Sequence, residues 1–571
     1  MNNTTNRDNS RKKMTMNTWT RRVALGALIV LNLTLNTQAA EPPRDVLAAD
    51  RETLVGQPAD CLLIASSIPG TAVAQQPSPP SQPAKQKKPV APPSYVPLLD
   101  AALRGPMAGV EDIVFAVRKS VFGHWYANFG HESRGGTIRK NGEIDYGRVP
   151  IQGGGGLFRL NLRTKQVTPL LKVVTGRVRD PQVHYDGKKI LFSYLKDGSE
   201  FFNLYEINAD GTALRQLTDG PFDDIEPTYL PDGNIIFISS RCKRFVPCWR
   251  TQVATVHRCD GNGGNIRPLS SNVEHDNTPW MLPDGRLIYT RWEYVDRDQT
   301  KFHHLWTMNP DGSGQMVYYG NSNPGTAMLD AKPIPGTDKV VASFSGGHGA
   351  TEHAGDVTIV DQKAGPDDRR RVKRIREGGR DPYPFSEDCF LVCDNTRILL
   401  INGNGAADMI YENPDGIDVH EPRPLTSRPR EPVLADRVDM GKETGTIYLA
   451  DILHGRNMEG VRPGEIEKLL VLESLPKPIN FADWMDTISY MSTFTLSRVL
   501  GTIPVEADGS AYAEMPAMRS LFFVALDKNN MSVKRMQSFF TVQPGETVGC
   551  AGCHEKRTQT PRIGSMPLAL M

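Results

Sequence analysis

The sequence predicts an all-β protein, a six-bladed β-propeller followed by a small C-terminal β module that carries a Cys-x-x-Cys-His loop. Three observations predict it. Strand and turn signals run almost without a break from Gly109 onward, and few amphipathic helices interrupt them. Asp-Gly pairs recur at a nearly constant step. After Phe494 the repeat gives way to a different β pattern that ends in Cys550-Ala551-Gly552-Cys553-His554.

The repeat has two series. Arg179-Asp180-Pro181 leading to Asp186-Gly187 returns as Ile225-Glu226-Pro227 to Asp232-Gly233, and again as Asn277-Thr278-Pro279 to Asp284-Gly285. A second unit ends at Asp210-Gly211, Asp260-Gly261 and Asp311-Gly312. The steps are 46 and 52 residues in the first series and 50 and 51 in the second. Asp and Gly tolerate the positive backbone angles of a tight turn, so each pair between apolar runs predicts a hairpin. Four short strands per repeat of this length predict a propeller blade. Less regular blades are expected at Asp112 to Val117 with Gly156 to Leu171, and at Ala331 to Phe344 with Asp356 to Asp361. Another follows Arg380-Asp381-Pro382, and a last one spans Gly445 to Asp451 with Ile466 to Glu473. The propeller is therefore expected over residues 110–480 and the module over 481–571. In the module, Val505 to Tyr512 predicts a hairpin turn and Leu521 to Leu526 a buried strand.

Residues 1–40 predict a signal peptide. A basic stretch ending in Arg21-Arg22 precedes the 13-residue apolar run Val23 to Leu35, and Thr37-Gln38-Ala39-Ala40 offers small residues for cleavage before Glu41. The run is shorter than the roughly 20 residues of a membrane-spanning helix, so no stable membrane span is expected. Residues 41–109 predict a disordered, Pro-rich linker, most clearly Gln75 to Pro93. The formal charge is +1 for the whole sequence and −4 without residues 1–39. Such a balance gives no basic field for nucleic acid. The basic run Arg369 to Arg374 is flanked by Asp367-Asp368 and Glu377 and predicts a solvated loop or blade edge.

Cys550 and Cys553 stand at the spacing of a c-type haem attachment site, and His554 follows where an imidazole ligates the iron. Two thiols two residues apart can form thioethers to both haem vinyl groups. A structural zinc site draws four ligands from two such pairs, and no second CxxC or CxxH occurs. Covalent haem c with His554 as its metal ligand is the expectation, and it fits a periplasmic or otherwise exported chain. The paired arginines of a twin-arginine signal appear at Arg21-Arg22, yet haem is attached after export of an unfolded chain, which favours the general secretory route.

Other groups are candidates only. His124, His131, His275, His303, His304, His348, His353, His420 and His454 lie in turn-like or Gly-rich stretches where loops converge. Glu274 to Asn277 and Glu352 to Asp356 are the densest ligand-like clusters, so a second metal stays open. Cys242 with Cys248, or Cys389 with Cys393, suggest small disulfide loops; a strand over Phe390 to Val392 would instead hold the latter pair too far apart. Cys242, Cys248 and Cys259 alternatively suggest a soft metal site, and Met566 or Met571 a sulfur ligand to iron.

The order of Gly123-His124-Trp125-Tyr126-Ala127-Asn128-Phe129-Gly130, the blade units, Asp508 to Tyr512 and Gln543-Pro544-Gly545-Glu546 running into Cys550 to Glu555 resembles the middle domain of the alpha subunit of hydrazine synthase. The resemblance covers roughly residues 110–560. It implies a six-bladed propeller bearing covalent haem held by Cys550, Cys553 and His554. Hydrazine-forming members join nitric oxide with ammonia-level nitrogen and carry a tyrosine one turn beyond the haem histidine, where this sequence has Thr558. The resemblance therefore implies redox competence, a small-molecule ligand at the haem and a redox partner protein, without hydrazine synthesis by this chain alone. The alternative expectation is a non-catalytic exported propeller that binds a protein or a glycan.

Overall fold

The computed structural model describes residues 98–121, 137–138, 140, 144–145, 152–481, 485–490, 493–552 and 566–571. All of them belong to one compact unit, Ala91–Met571. The expected signal peptide and the expected linker as far as residue 97 lie outside the described residues. From Leu98 the chain is already part of the body, so the tether expected to reach residue 109 stops sooner. Leu98–Arg104 is a helix whose Ala102 and Leu103 pack, with Met107 and Val110, against Leu391, Ile398 and Leu400. It is the one α-helix among the described residues, and no helix there is long and apolar enough to cross a membrane.

The 24 described strands that run from Asp112–Val117 through Val419–Pro424, leaving aside two short ones at 137–138 and 144–145, form six antiparallel groups of four. The first strands of five groups are Arg177–Val183, Asp224–Tyr229, Asp276–Met281, Thr326–Pro333 and Arg380–Ser386. In the sixth group Val419–Pro424 pairs with Asp112–Val117, so the end of this region is stitched to its beginning. A short parallel pairing, Phe302 with Thr326 and His303 with Ala327, merges two of the groups into one sheet. Each group supplies apolar residues to clusters shared with its neighbours; Ile225, Ile236 and Val256 of one meet Met281, Leu287 and Tyr289 of the next. The architecture is an all-β, propeller-like body.

The Asp-Gly pairs turn as their chemistry predicts. Gly187, Gly233 and Gly285 hold φ of 73°, 92° and 87° and donate their N–H to His184, Leu230 and Leu282 at 2.9–3.0 Å. The Asp before each accepts from the amide two residues on, Lys188, Asn234 and Arg286 at 2.8–3.0 Å. A side chain at these glycines would be strained by its backbone angle alone.

Two expectations are corrected. Thr444–Leu449 and Lys468–Ser474, expected as a last blade, belong to the C-terminal module instead. Thr444–Leu449 pairs with Ala511–Pro516 and, in parallel, with Thr547–Cys550; Lys468–Ser474 pairs with Ser497–Pro504 and Leu521–Leu526. Their alternating residues Ile447, Leu449, Leu469 and Val471 face a core of their own with Ile503, Met515 and Leu521, and that burial decides the partner. The turn at Glu506 to Ser510 does form, but the strands flanking it enter different sheets rather than one hairpin. Between body and module, residues 425–443 form no strand and end in a turn where the Lys442 amide donates to Asp439 O at 3.0 Å; on the way Arg430 Nη1 donates to Pro231 O at 2.7 Å and the Arg437 amide to Asp311 at 2.6 Å. Buried bonds then seat the module: Gln543 Nε2 donates to Leu269 O at 2.8 Å and Ser520 Oγ to Ser271 O at 2.6 Å.

Candidate functional site

The strand Thr547–Cys550 lies parallel to Thr444–Leu449 and delivers Cys550, half-buried, beside an apolar cluster that includes Ile447, Leu449, Ile452 and Met458. The Ala450 amide donates to Cys550 O at 2.9 Å and fixes the strand's end. At Gly552 the backbone passes so close to His454 that a Cβ would stand 1.9 Å from its carbonyl oxygen. Only glycine permits that approach. His454 is half-buried, its Nε2 is shielded from solvent with no hydrogen-bond partner, and it is the described imidazole beside this loop. A thiol at the edge of an apolar surface, followed by a backbone that leaves no side-chain bulk, suits a porphyrin attached there. Cys553, His554 and Thr558 lie outside the described residues, as do His124 and His131. Met566 and Met571 are exposed.

A second constellation lies where the first strands converge. Each of these six strands carries a bulge, and at each bulge one non-glycine residue adopts positive φ: Asp180, Glu226, Thr278, Asp330, Asp381 and Glu421, at 45–58°. Such backbone is costly for Thr and for acidic residues, roughly 1–3 kcal/mol each, and recurs only where surrounding contacts enforce it. Here the turned amide meets the side chain of the preceding strand. The Glu226 amide donates to Asp180 at 3.0 Å, the Thr278 amide to Glu226 at 2.6 Å, the Asp330 amide to Thr278 Oγ1 at 3.2 Å and the Glu421 amide to Asp381 at 3.0 Å. Four bonds of one kind thus staple neighbouring groups around a cavity of about 30 Å³, room for one water-sized species.

Charge balances most of this ring. Arg118, buried, donates Nε to Glu352 Oε2 at 3.1 Å and Nη1 to Glu421 Oε2 at 2.7 Å. Arg179 pairs with Asp180 at 2.7 Å and Glu226 at 3.3 Å, and Lys332 pairs with Asp330. Burial pushes the Glu226 carboxyl up to about 8 against the pull of Arg179, and burial together with Glu421 pushes Asp381 up to about 8. Burial lowers Lys332 to about 8, against the pull of Asp330. Glu352 behaves oppositely: despite burial, Arg118 and then His420 and Arg177 hold it well below the usual carboxylate range. Among the described residues, Glu352, His420 and Glu421 are the group of three ligand-type side chains whose ligand atoms lie within 4.8 Å of one another.

The other candidates separate. His303 and His304 sit in the buried strand Phe302–Met308, and His420 in Val419–Pro424, not in the loops expected for them. The rings of His303 and Trp292 lie 5.0 Å apart. In the cluster Glu274 to Asn277, His275 Nδ1 accepts from the Ala254 amide at 3.0 Å and Asp276 pairs with Arg291 at 3.1 Å. Glu274 is buried with neither oxygen hydrogen-bonded, and burial pushes it well above its ordinary value, opposed by Lys477. Asp356 pairs outward with Arg374 at 3.2 Å. The predicted small disulfides are absent: Cys242, Cys248, Cys389 and Cys393 are unbridged thiols. Cys242 and Cys248 join one apolar cluster and Cys259 another, which breaks up the suggested soft-metal triad. Burial raises Cys248, Cys259 and Cys389 to about 12, so these thiols stay protonated and inert at neutral pH.

The sequence did not reveal this row of bulged polar residues, although the signal was present. Asp180-Pro181, Glu226-Pro227, Thr278-Pro279, Asp381-Pro382 and Glu421-Pro422 repeat a polar residue before proline at the same point of each first strand, with Asp330-Ala331 as the variant. The repeat was legible as punctuation; that its polar residue is turned toward the neighbouring first strands follows from the bulge.

Comparison with known proteins points one way. Residues 464–555 match the family described as the hydrazine synthase alpha subunit middle domain. Hydrazine synthase subunit alpha of Kuenenia stuttgartiensis is 21% identical over 518 residues, an alignment that takes in 71% of this chain and 63% of that protein. This chain therefore spans less than two thirds of that relative's length. The solved structure of Kuenenia stuttgartiensis hydrazine synthase superposes with a TM-score of 0.67 at 18% identity, covering 81% of this chain and 72% of that one, and shows the same fold. The matched segment carries the module's strands and the Cys550 loop, so the findings support a relation of this chain to the hydrazine synthase alpha subunit middle-domain family.

Proposed function

We propose that this chain is an exported c-type haem protein of redox chemistry or electron transfer with small nitrogen or oxygen species. The six groups of four strands are its six propeller blades, closed where Val419–Pro424 pairs with Asp112–Val117. The observation that carries the reading is the placement of Cys550: the single CxxCH of the sequence begins at the end of a strand built into the module's apolar core. Cys550 and Cys553 would hold the haem and His554 would ligate its iron, which supplies one-electron chemistry when bound. The module's own residues do the rest. The parallel pairing to Thr444–Leu449 fixes the thiol, Gly552 lets the loop lie flat on the His454 carbonyl, and Ile447, Leu449 and Ile452 offer a water-poor surface. A redox partner protein is expected, because one haem holds one electron at a time.

The test is expression with a haem-attachment system, followed by denaturing electrophoresis and haem-peroxidase staining. A stained band near the mature mass is expected, and it should vanish in Cys550→Ala/Cys553→Ala. A stain that survives the double substitution rejects covalent attachment at this motif. Nitric oxide, carbon monoxide or hydroxylamine added to the reduced protein reports the iron's open position as a Soret shift. Hydrazine released without partner subunits would contradict the reading that this chain alone does not make it.

A further inference from the structure

His420 is fully buried, and neither ring nitrogen has a hydrogen-bond partner. A buried imidazole without partners is destabilising unless something fills the gap. The gap has a definite size. His420 Nδ1 stands 4.0 Å from Glu352 Oε2 and 3.9 Å from Asp381 Oδ2, too far for hydrogen bonds. An ion held tetrahedrally by a nitrogen and an oxygen at about 2.0–2.2 Å sets that pair about 3.3–3.6 Å apart, so both gaps would close by a few tenths of an ångström around it. Glu421, adjacent to His420 in the same strand, brings a further carboxylate within 4.8 Å of both His420 and Glu352.

The backbone points to the same place. Glu352, Asp381 and Glu421 hold φ of 55°, 55° and 45°, so three of the four donors sit on enforced left-handed backbone of the kind found at ligand clamps. Arg118 occupies Glu352 and Glu421 from one side, but each carboxylate oxygen offers two lone pairs and can accept a guanidinium and an ion together. Six buried carboxylates line this axis: Asp180, Glu226, Asp330, Glu352, Asp381 and Glu421.

We propose that Glu352, Asp381, His420 and Glu421 bind one divalent first-row transition-metal ion of the zinc or manganese type. One imidazole with carboxylates is a donor set for such ions rather than for calcium, which takes oxygen ligands throughout. The ion would clip the turn Thr351–His353 and the strand Arg380–Ser386 to the strand that closes the ring on Asp112–Val117. Its role is to lock the seam.

The full-length protein, stripped with EDTA and dialysed against micromolar zinc or manganese chloride, is assayed by elemental analysis and thermal unfolding. One equivalent of metal beyond haem iron is expected, with a Tm that falls on stripping and recovers on reloading. His420→Ala should lose that equivalent and the metal-dependent Tm shift, whereas His454→Ala should keep both. No bound metal, or metal retained by His420→Ala, overturns the site. If His420→Ala does not fold, anomalous scattering from a zinc-soaked crystal of the unaltered protein decides. A peak between His420 Nδ1 and Glu352 supports the site; a peak elsewhere or none refutes it.

Discussion

Replacing Arg118 with methionine leaves Glu352 and Glu421 buried without their shared counter-charge. The guanidinium is fully enclosed and reaches both carboxylates through four hydrogen bonds, so no solvent stands in for it. Removing one partner of a buried ion pair costs about 3–5 kcal/mol, because the partner left behind keeps its desolvation penalty. Methionine preserves most of the apolar stem, which keeps the packing loss small. In the unaltered protein Glu352 is held well below the usual carboxylate range. Its stabilisation is therefore present above the unfolded-state value, about 4.5, and is lost as pH falls through the lower folded value. Without Arg118 that carboxyl rises, and the folded state gains a proton the unfolded state lacks. The deficit of Arg118→Met should thus be largest near pH 7.5 and shrink toward pH 5. Urea unfolding followed by tryptophan fluorescence at both pH values measures it. Arg118→Met/Glu352→Gln should recover part of the loss at pH 7.5. A deficit below about 1 kcal/mol that does not change with pH would refute the claim that the fold depends on this buried charge network.

Three further outcomes are expected. Gly552→Ala would drive a Cβ to 1.9 Å from the His454 carbonyl, so the haem-staining yield should fall while circular dichroism and body stability stay near those of the parent; undiminished staining would show that the loop has room. His257 is buried, its Nδ1 bonded to Thr255 O at 2.9 Å, and burial lowers it to about 4 despite that bond. It must stay neutral in the fold, so stability is kept above the unfolded-state value of about 6.5 and lost as pH falls toward 4, on the order of 3 kcal/mol; His257→Gln should flatten that limb, and an unchanged acid limb would count against it. Deleting residues 223–272 removes one whole group of strands, Asp224–Tyr229 through Arg267–Pro268, and should abolish soluble folding; a folded monomer with native-like strand content would count against a closed propeller.

The sequence marked the repeat well because its signals are local. Asp186, Asp232 and Asp284 accept bonds from amides only two residues away, and the glycines that follow need no tertiary partner to turn. The CxxCH spacing is likewise a matter of five adjacent residues. Strand pairing was less legible where apolar alternation was the only guide. Lys468–Ser474 has that alternation in any sheet, and the match of Leu469 and Val471 to Ile503 and Leu521 assigned it to the module. Histidines in Gly-rich surroundings looked loop-borne, yet His303 and His304 are strand residues because Trp292 and the neighbouring strands bury them.

By itself, then, the sequence determined the all-β class, the repeated Asp-Gly turns, the resemblance to the hydrazine synthase alpha subunit and the one place where two thiols and an imidazole share a loop. Tertiary structure alone decided the cluster of charged groups where the first strands converge. Glu352 and Glu421 reach Arg118 across 234 and 303 residues of chain, and no short-range pattern encodes such a meeting. The bulge in each first strand turns one polar residue inward, and at Glu226, Thr278, Asp330 and Glu421 its amide is satisfied by the side chain of the preceding group. The neighbour, not the residue's own surroundings in sequence, thus determines whether an Asp-Pro or Glu-Pro step is a surface turn or a buried clamp.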